Sequence, residues 1–250
     1  MSGASACVIG GPTASLKTVL ATVADAMPEL LADGGAVRFE EYLDVLRVMA
    51  RHEQDVLLVR VPSIHLGKRD EVALQLREVQ VALADLSDAA AVDPGADGFV
   101  FMALAGQPTL TVGLREQLLT PVDVSAVPGN AGTFPKVGTV SGDELRAVAQ
   151  RAQAQDGTGR VTVRIKGSTF EFGAVSGSSP ARVKVTDANR LAPLDDAFSL
   201  GAERLVGLAP RLGEGDLEVR FTTVHDGAFV ALAPEGGYIE AQLHLTPVAG

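Results

Sequence analysis

Cysteine, tryptophan and aromatic side chains in general are scarce in this chain. Of 250 residues one is cysteine, none is tryptophan, and aromatics amount to 4%. A lone Cys7 excludes a disulfide framework, suits a reducing compartment and reads as a small buried hydrophobe. The four histidines, His52, His65, His225 and His244, have no metal-ligand spacing, so neither a zinc site of the usual kind nor any other cofactor is expected. Long apolar runs are missing as well. No segment approaches the roughly 18–20 uninterrupted apolar residues of a membrane span, and the first residues lack the basic-then-apolar order of a signal peptide. The expectation is a soluble, non-secreted, cytoplasmic protein with no membrane contact.

Signatures of catalysis are absent too. Gly11-Pro12-Thr13-Ala14-Ser15-Leu16-Lys17-Thr18 imitates a phosphate-binding loop, but Leu16 stands where the second glycine must be. Gly-x-Ser-x-Gly does not occur. The adjacent carboxylates Glu40-Glu41 and Asp195-Asp196 read as loop charges, and nothing sets a general acid opposite a general base. Enzymatic activity is not expected.

What is present is a repeat. Residues 141–247 spell one unit twice: a short helix with an apolar stripe, then strands of alternating apolar and polar residues. Ser141 and Glu144 have the S-x-x-E spacing of a helix start. Leu145, Val148 and Ala152 share one helical face, and glycines 157 and 159 end the run. The period then switches, with Val161, Val163 and Ile165 on one side of a strand and Thr162, Arg164 and Lys166 on the other. Residues 169–173 and 182–185 supply further strands. In the second copy a helix over 201–212, ended by Pro210 and Gly213, precedes strands over 217–223, 228–233 and 238–245.

Two looser copies fit residues 6–120. A strand at 6–9 precedes a helix over 13–26 striped by Leu16, Val19, Leu20 and Val23, and a strand follows at 56–61. Leu76, Val79, Leu83 and Leu86 stripe the next helix, before strands at 99–104 and 109–114. The four helices start near residues 13, 75, 142 and 200, a spacing of roughly 60 residues. Residues 122–136, with Pro128-Gly129-Asn130-Ala131-Gly132, have no apolar period and read as a linker. The expected fold is therefore α+β. Two similar domains, 1–121 and 137–250, each hold two helix-plus-antiparallel-strand units, with cores resting on Val, Leu and Ala.

A net charge of −10 argues against nonspecific nucleic-acid binding by the whole surface, though not against a local basic face. Lys17, Arg77, Arg146, Arg151, Arg204 and Arg211 all fall on the four expected helices, and Arg204 and Arg211, seven apart, share a face. Taken singly these are solvated helix charges; their recurrence on helices is the pattern of interest.

In order and length these segments resemble the sliding clamps of the proliferating cell nuclear antigen (PCNA) type. Ala6-Cys7-Val8-Ile9-Gly10 with Ser15-Leu16-Lys17-Thr18-Val19-Leu20 looks like that family's opening strand and helix. Met49 ahead of Asp55-Val56-Leu57-Leu58-Val59 looks like its next strands. Val140-Ser141-Gly142-Asp143-Glu144-Leu145 is similar to the start of its second domain, and Leu243-His244-Leu245-Thr246-Pro247-Val248 to its closing strand and tail.

The resemblance implies a homotrimeric ring around double-stranded DNA, helices lining the hole and sheets outside, acting as a polymerase processivity factor. The six helix cations would touch phosphates without reading bases. Residues 122–136 would be an interdomain connector edging a pocket for peptides of a DNA polymerase, a clamp loader and repair proteins. That pocket would be formed by Met49, Leu58, Val124, Val127, Phe229, Pro247 and Val248, the bland alternative for Met49 and Leu58 being ordinary core. Neighbouring copies would join through edge strands at Arg115, Gln117 and Leu119 and at Arg182, Val183 and Val185. Val81 and Ala84 occupy helix positions that in the family often carry lysine, which weakens the expected DNA contact there. A hetero-oligomeric clamp subunit, a monomeric viral processivity factor and an unrelated two-domain α+β binding protein or enzyme are the alternatives.

Overall fold

A computed structural model describes residues 7–32, 34–42, 45–62, 71–90, 98–104, 107–123, 125, 127, 134–155, 159–174, 179–187, 191, 194–212, 215–235 and 237–248. The chain divides into two compact units, residues 1–53 with 57–131 and residues 54–56 with 132–250.

Unit 1 runs β1 (Cys7–Pro12), α1 (Thr13–Ala26), a single turn α2 (Glu29–Ala32), β2 (Ala36–Tyr42), β3 (Val45–His52) and β4 (Asp55–Pro62). It continues with β5 (Glu71–Gln75), α3 (Leu76–Ala90), β6 (Gly98–Leu104), β7 (Gln107–Val112), β8 (Arg115–Leu118) and the short β9 (Pro121–Val122). Its strands form the runs β1-β6-β7-β8 and β4-β3-β2-β5-β9. Helices α1 and α3 lie side by side against β1-β6-β7-β8.

Unit 2 runs β10 (Lys136–Ser141), α4 (Gly142–Gln155), β11 (Arg160–Lys166), β12 (Thr169–Ala174), β13 (Ala181–Arg182) and β14 (Lys184–Val185). Then come β15 (Asp195–Gly201), α5 (Ala202–Leu212), β16 (Asp216–Val224), β17 (Gly227–Pro234) and β18 (Ile239–Pro247). The strand order is β13-β12-β11-β15-β18-β17-β16-β10-β14, and α4 packs alongside α5.

Within each unit a β-α-β-β-β copy occurs twice. The sequence pattern shows a strand ahead of the first helix only, at 6–9, whereas the structure has one before each of the four helices. That strand pairs with the other copy's first strand after the helix: β1 with β6, β5 with β2, β10 with β16 and β15 with β11. Each copy thus completes the other's sheet, which is the reason two copies make one unit: a copy alone would leave its strand edge unpaired.

The helical stripes read from sequence are the buried ones. Leu16, Val19, Leu20 and Val23 on α1, Leu76, Val79, Leu83 and Leu86 on α3, and Leu145, Val148 and Ala152 on α4 are all buried. At the start of α4 the Glu144 N–H donates to Ser141 Oγ at 3.4 Å. Gly11 and Pro12 end β1 and Thr13 opens α1, so the loop-like motif there is strand and helix.

Three expectations need correction. Pro210 does not end the last helix, since α5 continues to Leu212 with Pro210 inside its final turn. Glu40 and Glu41 are not loop charges; they lie in β2 at 0% and 1% exposure, with Arg47 3.5 Å from Glu40. Asp195 and Asp196 begin β15, opposite Lys166 and Ile165. The scarce aromatics also carry more of the core than composition implied. Phe39, Phe99 and Phe101 pack together in unit 1, with centroids 4.8 and 5.3 Å apart, and Phe170 meets both Phe172 and Phe221 in unit 2.

The single strand expected over 182–185 is split at Val183 into β13 and β14, which lie at opposite ends of the unit 2 strand order and pair with β12 and β10. Five residues therefore bring the two ends of one sheet together. Gly138 allows it: a Cβ there would overlap the Lys184 carbonyl and reach within 2.9 Å of Val183 Cγ1. Gly138→Ala is expected to cost about 1–3 kcal/mol because the opposing atoms are backbone and cannot swing away. Urea unfolding of the variant checks this, and a change within error would mean that β14 yields freely.

Candidate functional site

The six helix cations do not share one solvent-facing stripe. Lys17 on α1 and Arg77 on α3 are exposed. Arg146 and Arg151 flank the buried side of α4. Arg146 lies 3.7 Å from Asp143 one turn earlier, and Arg151 donates to the Ser179 carbonyl at 2.9 Å. Arg211 is half-buried in the last turn of α5.

Arg204 departs furthest from expectation. It is 8% exposed, with Nε 3.1 Å from the Asp55 carboxylate. Asp55 also accepts the His244 backbone N–H at 2.8 Å. Burial pushes the Asp55 carboxyl above its usual range, outweighing the His244 hydrogen bond and the Arg204 charge that pull it down. An arginine expected to offer its charge to DNA is instead half of a desolvated ion pair. Its seven-residue spacing from Arg211 is real, but Asp55 comes from far away in sequence and covers it.

On the exposed faces the remaining charges are mixed. In unit 1 Asp25 on α1 and Asp85 on α3 are exposed as well as Lys17 and Arg77, and in unit 2 Asp143 and Glu144 on α4 and Glu203 on α5 are exposed.

The residues assigned to a peptide pocket fall into sets. In unit 1 Met49, Leu58 and Val127 form one buried cluster, flanked by Ala36. Arg38 holds the third member in place by donating to the Val127 carbonyl at 3.3 Å, while also pairing with Glu71. A buried Val127 closes over Met49 and Leu58, so the three are core as they stand. Val124 lies outside the described residues. In unit 2 the half-buried Phe229 ring stacks on Phe134 at 5.8 Å and meets the His244 ring at 5.1 Å. Pro247 and Val248 are exposed at the end of β18, where the Val248 N–H donates to the Ala197 carbonyl at 2.9 Å.

Edge strands lie where the interface residues were sought. Among the described residues β8 pairs only with β7, β13 only with β12 and β14 only with β10. On β8 the residue choice needs adjusting. Leu119 is buried, its N–H donating to the Pro108 carbonyl at 2.8 Å, whereas Leu114 and Leu118 are 93% and 62% exposed. The segment is anchored at Thr120, whose N–H and hydroxyl both donate to the Glu78 carboxylate of α3 at 3.0 and 3.1 Å. In unit 2 Arg182 is exposed, Val183 is buried and Val185 is half-buried.

Among the described residues no group of His, Cys, Asp and Glu has the arrangement of a metal site, and no helix is long and apolar enough to cross a membrane.

No protein-family model and no curated protein matches the chain. Solved structures do. A Helicobacter pylori β clamp bound to a DNA ligase peptide superposes with a TM-score of 0.72 at 11% identity, covering 97% of this chain and 67% of that one. The Thermotoga maritima DNA polymerase III β subunit gives 0.71 at 16% identity, covering 100% and 68%. The β subunit from the DNA polymerase of Streptococcus pyogenes gives 0.70 at 12%, covering 97% and 65%.

The fold is a sliding-clamp fold. The chain spans about two thirds of the length of these clamps, 64% in the case of a second H. pylori β-clamp complex. The resemblance drawn from sequence was to the PCNA type, while these structural neighbours are bacterial β clamps, so the clamp fold is common ground and the type is not.

Proposed function

We propose that this protein is a non-enzymatic DNA clamp and polymerase processivity factor: copies join head to tail into a ring that encircles duplex DNA and docks short peptides of polymerase, clamp loader and repair proteins. The observation that carries the reading is the fourfold β-α-β-β-β repeat, paired into two units and superposable over almost its whole length on bacterial β clamps. At two units per copy, three copies would make the six-domain ring that the resemblance to the PCNA type implies. Edge strands β8 and β13 differ from each other, and head-to-tail pairing of two different edges is the contact that generates rings.

The mixed charge of the helix faces favours topological holding over affinity. On a duplex, each phosphate neutralised contributes about −0.9 to the slope of log K against log salt. With Lys17 and Arg77 the only two of the six named cations that are exposed, a shallow slope and weak binding to linear duplex are expected.

The test is retention. On a nicked DNA circle the loaded protein should stay bound through a high-salt wash and leave once the circle is cut, and the free protein should have the mass of three chains. Retention indifferent to linearisation would overturn encirclement, and a single-chain mass at micromolar concentration would overturn the homotrimer. Closed rings appearing only with a second protein would favour the hetero-oligomeric alternative.

A further inference from the structure

Strand β11 carries an exposed cationic row. Arg160, Arg164 and Lys166 stand on one face of it, while Val161, Val163 and Ile165 on the other face are buried. Several cross-strand neighbours on the same face are small: Arg164 lies opposite Ala197 of β15, and Thr162 lies opposite Gly173 of β12 and Ser199 of β15. The long basic side chains therefore rise beside a low floor on which an extended chain could lie.

The acids within reach do not answer this charge. Glu171, opposite Arg164 on β12, is half-buried and lies 3.7 Å from Arg182 of β13. Asp195 stands opposite Lys166, and Arg160 donates to Ser199 Oγ at 3.2 Å. Among the described residues Arg164 and Lys166 make no ion pair and no side-chain hydrogen bond. The corresponding strands of the other copies differ. On β2 Arg38 pairs with Glu71, on β16 Glu218 holds both Lys136 and Arg220, and β6 has no charged residue. With Arg160, Arg164, Lys166 and Arg182 set against Glu171 and Asp195, this face is cationic in a chain whose net charge is −10.

We infer that this face docks an extended acidic segment of a partner protein, laid along β11. Charge complementarity gives the sign, and spacing gives the shape. Residues rise about 3.3 Å each along a strand, so Arg164 and Lys166 are about 7 Å apart, which is also the repeat of alternate side chains in an extended peptide. Carboxylates on alternate residues would meet them in register, and the arginines can hold theirs through paired N–H donors. Nucleic acid fits less well. Single strands are held by stacking bases on aromatic rings, whereas Phe170, Phe172 and Phe198 of these strands are buried on the opposite face. A duplex needs many neutralised phosphates, and here two acids stand among four cations. The inference goes beyond the clamp reading and does not depend on it, because every group involved belongs to unit 2 of one chain.

Titration of the full chain with a decapeptide of alternating glutamate and serine, followed by calorimetry and by amide shifts, tests it. Saturable binding of one peptide per chain is expected, with shifts confined to β11, β12 and β15 and with affinity falling as salt is raised. Arg164→Gln combined with Lys166→Gln should weaken binding about tenfold, as for the loss of two exposed ion pairs. Arg51→Gln, which removes an exposed cation of unit 1, should leave it unchanged. Thermal melts of both variants should match the parent, since only exposed side chains are replaced. Binding unchanged in the double variant, equal weakening by Arg51→Gln, or equal affinity for a peptide of alternating glutamine and serine would each overturn the inference. So would tighter binding of a thymidine decanucleotide or the absence of saturable binding. None of these measurements involves ring formation, so their failure would leave the clamp reading standing.

Discussion

Arg204→Met is expected to destabilise unit 2 by about 3 kcal/mol near neutral pH, the lower end of the range for removing one partner of a buried ion pair. The wild-type pair is almost fully desolvated, with Arg204 and Asp55 side chains 10% and 15% exposed. Removing the guanidinium leaves an ionised carboxylate in low-dielectric surroundings, stabilised by the His244 N–H and ring but no longer by a paired cation. The loss should depend on pH with a definite sign. Asp55 already has a folded-state pKa above its ordinary value, so the folded form holds its proton more tightly than the unfolded chain. The stability this contributes is fully present below the unfolded pKa and is lost as pH rises through the folded one. Without Arg204 the folded pKa rises further, so the penalty is largest at neutral pH and shrinks on acidification, leaving the packing loss. Hydrogen exchange at the β17 and β18 amides, at neutral pH and near pH 4, reads it. A penalty that grew on acidification would show that the Arg204 charge contributes nothing through Asp55.

If copies join as proposed, Leu118→Glu, alone or with Leu114→Glu, is expected to convert the three-chain particle into single chains and to abolish retention on circular DNA. In one copy these leucines are 62% and 93% exposed, so the fold of the copy itself should change by no more than about 0.5 kcal/mol. An exposed leucine on an edge strand is a liability unless a second chain covers it. A carboxylate buried in that contact without a partner costs several kcal/mol per interface, enough to shift assembly by orders of magnitude. Light scattering at micromolar protein, beside thermal melts of the same samples, separates the two effects. If the variant remained a trimer, β8 would not be the joining edge.

The elements easiest to recognise from sequence were those with one covered face. On α1, α3 and α4 the apolar stripe repeats with the helical period because only one side is buried. Strand β11 alternates for the same reason, with Val161, Val163 and Ile165 buried and Arg164 and Lys166 exposed. Strands covered on both sides lost that signal. In β5 three consecutive residues, Val72, Ala73 and Leu74, are buried, and in β2 Phe39 is followed by the buried Glu40 and Glu41, so neither strand shows a two-residue period. A carboxylate pair reads as surface until the opposing Arg47 is in place.

The sequence by itself determined the repeat, its helices and most outer strands, since local periodicity records which face of an element meets water. Only the tertiary structure decided how copies pair and which charges remain exposed. The strand before each helix finds its partner in the other copy, Arg204 is neutralised by Asp55 about 150 residues away, and Val127 closes over Met49 and Leu58. Those are contacts between distant residues, and burial of a charge or a hydrophobe at such a contact depends on what arrives from elsewhere in the chain rather than on its own neighbours.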